Sequence, residues 1–202
     1  MPPVENKYFV FPEMGGMERD YKPVNNHQMP GVNDLDLMQN AVTMQVGAEI
    51  VAGELVVDVA ITNDQTGHHV PTGVPYRHMI LLVTVEGSLG SALPLKSGPV
   101  LPDWIGDYEN QPGMYFAKIL RDEWSGEIPT VAYWRDISLV EDTRIAAFET
   151  AENQFIFQAE SDGSYKVHVQ LLYRRAYYEL MQQKDWTDPD ILMEEAVIEV
   201  KP

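Results

Sequence analysis

Hydrophobic and polar residues alternate along several stretches of this chain. Val42, Met44, Val46, Ala48 and Ile50 take every second position of residues 41–51, and Leu55, Val57, Val59 and Ile61 do the same over 55–61. A two-residue period puts alternate side chains on one face of a strand. Gly53-Glu54 between the two runs predicts a tight turn, so together they read as a hairpin. Residues 76–85 behave differently. From Met79 to Val83 every position is apolar, which predicts a central strand covered on both faces. Strand patterns return at 144–147, at 153–159 with Phe155 and Phe157 in phase, at 165–173 and at 196–200. Asp162-Gly163 is a turn signal, and residues 174–184 hold enough good helix formers for a short helix.

Two regions break the pattern. Between residues 87 and 136, Pro94, Pro99, Pro102, Pro112 and Pro129 and many glycines cut the chain into pieces. Residues 114–120 and 131–134 are the strands expected there, and the rest reads as a long excursion of the kind that carries function or contacts. The opening segment is rich in Pro, Gly, Met and Asn. Only residues 8–11 read as extended, and residues 33–40 predict one helical turn capped by Asn33 or Asp34. The expected organisation is an irregular arm over 1–40, packing against another domain, and a β domain over 41–202. Seven or more short strands separated by turn signals predict an antiparallel, immunoglobulin-like β-sandwich with a short C-terminal helix.

Composition narrows the function. The chain has 202 residues, of which 45% are hydrophobic and 22% charged, as in a folded protein. Its net charge of −17 repels phosphate backbones and anionic lipids, which argues against a nucleic-acid partner or a polybasic membrane anchor. Cysteine is absent, so disulfides, thiolate metal sites, a cysteine nucleophile and covalently attached haem are excluded on this chain. No apolar run reaches the ~20 residues needed to cross a bilayer, so no membrane insertion is expected. The start of the chain lacks the charged and apolar segments of a signal peptide.

The densest polar segment runs from Asn63-Asp64 through Gly67-His68-His69-Val70-Pro71-Thr72-Gly73, between two well-predicted strands. Neighbouring side chains of an extended chain point to opposite faces, so His68 and His69 do not naturally share one metal ion. Gly67, Pro71, Thr72 and Gly73 suit a rigid turn, with His68 either bonding its backbone or serving as a ligand. His27 lies in the irregular arm and is either solvent-exposed or a ligand offered to something outside the domain. His78 falls in the apolar third strand and reads as a satisfied, partly buried histidine, whereas His168 falls on the solvent phase of its strand. Asp142 and Arg144 suit an ion pair or a loop cap. With Asn63 and Asp64, Asp142 also supplies oxygens of the kind calcium takes. Trp104, Trp124, Trp134 and Trp186 suit buried packing or an aromatic platform for carbohydrate. The chain has no nucleophile elbow, phosphate loop, dinucleotide fingerprint or His-Glu-x-x-His motif.

Taken with its neighbours, the histidine segment resembles a known pattern. Thr62-Asn63 followed by Gly67-His68-His69-Val70-Pro71-Thr72-Gly73 and Arg77 is similar to the Thr-Asn … Gly-His-x-x-Pro-Thr-Gly … Arg element in the C-terminal domains of multihaem c-type cytochromes. Glu141-Asp142-Thr143-Arg144-Ile145 resembles that family's Asp-Thr-Arg-Ile element, and Leu171 to Leu180 its late Leu-x-Tyr-Arg strand and helix. Met1-Pro2-Pro3-Val4 looks like the continuation of a haem-attachment motif, and Val24 to Gly31 like the segment after it, whose histidine is a candidate axial ligand. The resemblance is weakest over 87–130. It implies a non-catalytic module of a periplasmic or extracellular electron-transfer cytochrome. Haem c would be carried by the parent protein, a haem-bearing domain would be the partner, and His27 and His68 would be candidate iron ligands. The alternative is a stand-alone β-sandwich module binding carbohydrate or a protein, with calcium as a stabiliser.

Overall fold

A computed structural model describes residues 3–4, 8, 10–18, 24–25, 29, 31–159 and 163–201. It divides into two compact units, Met1–Asp34 and Leu35–Pro202. In the first, β1 (Pro3–Val4) pairs antiparallel with β2 (Val24–Asn25), and 3-10 turns cover Pro12–Met14 and Gly31–Asn33. His27 and Asp162 lie outside the described residues.

The second unit begins with α1 (Leu35–Gln39) and then alternates between sheets. Its strands are β3 (Thr43–Val51), β4 (Glu54–Thr62), β5 (His78–Glu86), β6 (Leu95–Ser97), β7 (Gly113–Phe116), β8 (Lys118–Asp122), β9 (Ile137–Asp142), β10 (Thr150–Gln158), β11 (Tyr165–Arg174) and β12 (Ile191–Val200), with α2 (Tyr178–Gln183) before the last strand. One four-stranded sheet has the order β3-β4-β10-β6 and the other β12-β11-β5-β7. A separate two-stranded ribbon joins β8 to β9, and every pairing is antiparallel. The fold is an antiparallel β-sandwich with a short C-terminal helix.

Sequence pattern explains the inner core. Leu55, Val57, Val59 and Ile61 of β4 and Phe155 and Phe157 of β10 are all buried, while their alternate neighbours are less so. Met79, Leu81, Val83 and Val85 of β5 and Val167, Val169 and Leu171 of β11 are buried in the same way in the other sheet. The β3–β4 hairpin turns through Ala52 at φ 52° and Gly53 at φ 83°. Two positive φ values in a two-residue loop match the right-handed twist of the flanking strands.

β5 is buried on its second face because the excursion folds back over it. Ile80, Leu82 and Leu172 pack there with Leu101 and Ile105, beneath Trp104, Tyr108 and Tyr115. Close approach demands glycine at two points. A Cβ on Gly113 would lie 2.2 Å from the Leu81 carbonyl oxygen, and one on Gly106 would lie 2.2 Å from the Tyr178 ring.

Four expectations are corrected. Residues 114–120 do not form one strand: the chain breaks at Ala117, β7 joins a main sheet and β8 starts the ribbon. Residues 131–134 form turns, and the ribbon partner is β9, whose exposed residues alternate too weakly to mark a strand. Residues 144–147 contribute only a one-residue bridge, Ile145 to Val70. The helix expected over 174–184 starts later, because Arg174 is still paired in β11 opposite His78.

Candidate functional site

The loop from Asn63 to Gly73 is held by one buried amide. Asn63 Nδ2 donates to the His68 carbonyl at 2.7 Å and to the Ile145 carbonyl at 3.0 Å. Its Oδ1 accepts from Thr66 Oγ1 at 2.6 Å, and the same hydroxyl lies 2.9 Å from the His68 carbonyl. The Asn63 backbone N–H donates to Glu149 O and its carbonyl accepts from Phe148 N–H. Every hydrogen-bonding group of Asn63 is thereby used, which is what a fully buried amide requires. Val70 and Ile145 exchange two backbone bonds of 2.9 Å each, so the loop is tied at both ends to residues 145–149.

This clamp leaves both histidines on the outside. His68 and His69 are exposed, while Val70 and Pro71 are buried beneath them. His68 Nδ1 lies 3.0 Å from the His69 carbonyl oxygen. A carbonyl only accepts, so Nδ1 is the donor here, and Nε2 has no partner among the described residues. An imidazole fixed through Nδ1–H···O=C with a free Nε2 is the arrangement of a metal-ligating histidine. Gly73 turns the loop at φ 92° beneath the Arg77 side chain, and Thr72 is exposed beside it. A Cβ on Gly67 would meet nothing within 4 Å, so spatial crowding places no demand for glycine there.

Asp142 and Arg144 form a bidentate pair, Nε to Oδ1 at 2.8 Å and a terminal guanidinium nitrogen to Oδ2 at 2.7 Å. The guanidinium hydrogen bond holds the Asp142 carboxyl below the usual range. Asp64 accepts from Thr43 Oγ1 at 2.8 Å. Asn63 Oδ1, one Asp64 oxygen and both Asp142 oxygens thus accept from three different side chains, Thr66, Thr43 and Arg144. No group of three or more His, Cys, Asp or Glu side chains is arranged to hold a metal among the described residues, so a calcium site is unsupported.

Covalent haem does not fit a chain without cysteine. Axial coordination by His68 does fit, because the ring is exposed, its tautomer is set and its outer nitrogen is free.

A second cluster went largely unread in the sequence. His78 is wholly buried, with Nδ1 3.1 Å from the Tyr76 carbonyl oxygen and Nε2 without a hydrogen-bond partner among the described residues. The sequence predicts a satisfied, partly buried histidine; this one is fully buried, with only one ring nitrogen bonded. Tyr177 stacks on it at 5.6 Å and Trp104 meets it edge-on at 5.2 Å. Burial, opposed only in part by the Tyr76 bond, lowers its pKa to about 3. Beside it, Arg174 makes two bonds to Asp190, at 2.8 and 2.7 Å, and a third to the Ile105 carbonyl. That arginine ties β11 to the excursion and to the segment before β12. Nothing local to Asp190 marks it in the sequence. His168 is half-exposed and bonded to Glu195 at 2.7 Å.

No protein-family model and no curated protein matches the chain. Among solved structures, it is similar to a penta-haem cytochrome c552 from Thermochromatium tepidum, with a TM-score of 0.67 and 20% identity over 86% of this chain. The chain spans 43% of that cytochrome's length. At this identity the likeness is one of fold. A PapD-like domain of human CEP192 and a collagen-binding domain of a Staphylococcus aureus adhesin align with TM-scores of only 0.29 and 0.28, at 6% and 5% identity over 92% and 80% of this chain and 96% and 97% of theirs, and bear on nothing further. Among the described residues no helix is long and apolar enough to cross a membrane.

Proposed function

We propose that this chain is a non-catalytic β-sandwich module of an extracytoplasmic multihaem cytochrome, packing on a haem-bearing domain of the same parent protein. The observation that carries the reading is His68. A buried amide network holds its loop rigid, and the imidazole presents a free Nε2 to the outside. The fold it shares with part of a penta-haem cytochrome supports the same reading. Haem c, held by cysteines elsewhere in the parent, would supply the redox chemistry. This chain's own residues would orient an axial imidazole and exclude water from one side of the haem. Gly67, Pro71, Thr72, Gly73, Asp142 and Arg144 would shape and brace the loop that does so. His27 is the second proposed ligand.

The test uses a ferric haem c undecapeptide, which carries one histidine ligand and an open sixth position. The full chain is expected to convert it to the six-coordinate, low-spin spectrum at concentrations where N-acetylhistidine does not. His68→Ala should abolish most of that conversion, with His27→Ala removing any remainder. Identical titrations for the parent chain and both variants would end the proposal.

A further inference from the structure

Among the described residues, Ala52, Asn110, Phe148 and Asp185 are the non-glycine residues at positive φ. Asparagine and aspartate tolerate that conformation, and Ala52 sits in the tight β3–β4 turn. Phe148, at φ 66°, has neither reason. It is the third residue of a turn closed by the Glu149 N–H on the Ala146 carbonyl at 3.1 Å. Glycine or asparagine fills such a place without strain, whereas a bulky side chain crowds the backbone there.

The fold itself has little use for the ring. Phe148 is 76% exposed, so it buries too little apolar area to offset the strain. What holds the turn is its backbone N–H, which donates to the Asn63 carbonyl at 2.7 Å. Any residue except proline supplies that donor. A strained residue whose side chain the fold does not need points to a role outside the fold.

Its position identifies the role. Asn63, which accepts from the Phe148 N–H, also donates its side-chain amide to the His68 carbonyl at 2.7 Å. One buried asparagine therefore anchors the backbone of two exposed rings, His68 and Phe148. Those two bonds and one residue keep the Phe148 nitrogen within roughly 12 Å of the His68 carbonyl oxygen. The strands agree, since Thr62 and Thr150 are partners in the last rung of the β4–β10 ladder. The loop that leaves β4 and the turn that enters β10 thus lie at the same end of the sheet.

Resting on the function proposed above, we propose that Phe148 packs against the haem that His68 would ligate. The ring covers part of the porphyrin on the side of the axial imidazole and helps to keep water from it. The Asn63 bond fixes the backbone of the turn before the haem arrives, so little is left to order on binding.

The test separates contact from ligation. The full chain and its Phe148→Gly, Phe148→Tyr and Trp134→Ala variants are titrated with the ferric haem c undecapeptide, and each is unfolded in urea without it. Phe148→Gly is expected to raise the urea midpoint, because glycine takes a positive φ freely. It should also bind the peptide about tenfold more weakly, yet reach the same low-spin spectrum at saturation, since His68 is untouched. Phe148→Tyr, which keeps a ring, should bind as wild type does. So should Trp134→Ala, which removes an exposed ring from the shallow groove that Trp124, Tyr133 and Trp134 line between β8 and β9. Wild-type affinity in Phe148→Gly overturns the proposal and leaves His68 standing. A urea midpoint at or below that of wild type also overturns it, because the ring then serves the fold. An equal loss of affinity in Trp134→Ala does the same, by showing unspecific adhesion to exposed rings. A wild-type chain that fails to convert the peptide at all ends the His68 reading, and this one with it.

Discussion

Asn63 and His78 are both polar side chains buried to completion, yet they are treated in opposite ways. Asn63 sits where a loop crosses residues 145–149, and five surrounding groups use all its donors and acceptors. His78 sits where the excursion covers the second sheet, and aromatic rings pack against an imidazole whose Nε2 has no hydrogen-bond partner among the described residues. The first arrangement converts burial into a fixed loop shape. The second converts it into a suppressed basicity. A satisfied buried polar group adds order, whereas an orphaned one carries a desolvation cost that its neighbours must offset.

The largest expected effect comes from the ion pair that holds the cover over His78 in place. Asp190→Ala leaves Arg174 buried without its carboxylate. Breaking such a pair on one side costs about 3–5 kcal/mol. Urea denaturation at neutral pH is expected to show that loss; a change below 1 kcal/mol would mean the excursion is held by its apolar contacts alone. Asn63→Ala comes next, at about 1–2 kcal/mol, because it removes one of two donors from each of the His68 and Ile145 carbonyls and the side-chain acceptor from Thr66. Backbone hydrogen exchange at Phe148 should rise with it, since that N–H donates to the Asn63 carbonyl within the same crossing.

His78→Phe should be milder at neutral pH, within about 1 kcal/mol, since it removes an unsatisfied nitrogen and keeps a flat ring. Its signature lies in acid. The folded imidazole has its pKa lowered from 6.5 to about 3, so the unfolded chain binds the proton more readily. The stability due to the neutral ring is complete above about pH 6.5 and is lost as pH falls towards 3. By about pH 4.5 the wild type should have lost roughly 2–3 kcal/mol through this group. The variant should lack that part of the slope, and equal acid slopes for the two proteins would refute the assignment. The smallest effect belongs to the partly exposed Asp142–Arg144 pair. Arg144→Ala is expected to cost about 0.5 kcal/mol, and less in high salt.

Legibility follows the same division. The hairpin of β3 and β4, the two-sided burial of β5 and the alternation of β10 and β11 could be read directly, because a period of two is a local property of the chain. The histidine loop was also visible as a cluster, since turn-forming residues and imidazoles lie next to one another between strong strands. The ribbon was misread. Ile137, Leu139 and Val140 are exposed in β9, so no buried face imprints a pattern on them.

By itself, the sequence determined the β character of the chain, the position of its inner core and the exclusion of covalently held haem. Each depends only on residue types and their spacing. Tertiary structure alone decided that Asn63 clamps His68 with its outer nitrogen free. It also decided that Arg174 finds Asp190 over His78, and that Trp124 and Trp134 flank one groove. Asn63 is fixed by Ile145 and Arg174 by Ile105, partners far away in the chain that no local pattern names, and these bonds exist only once the sheets and the excursion have closed on one another.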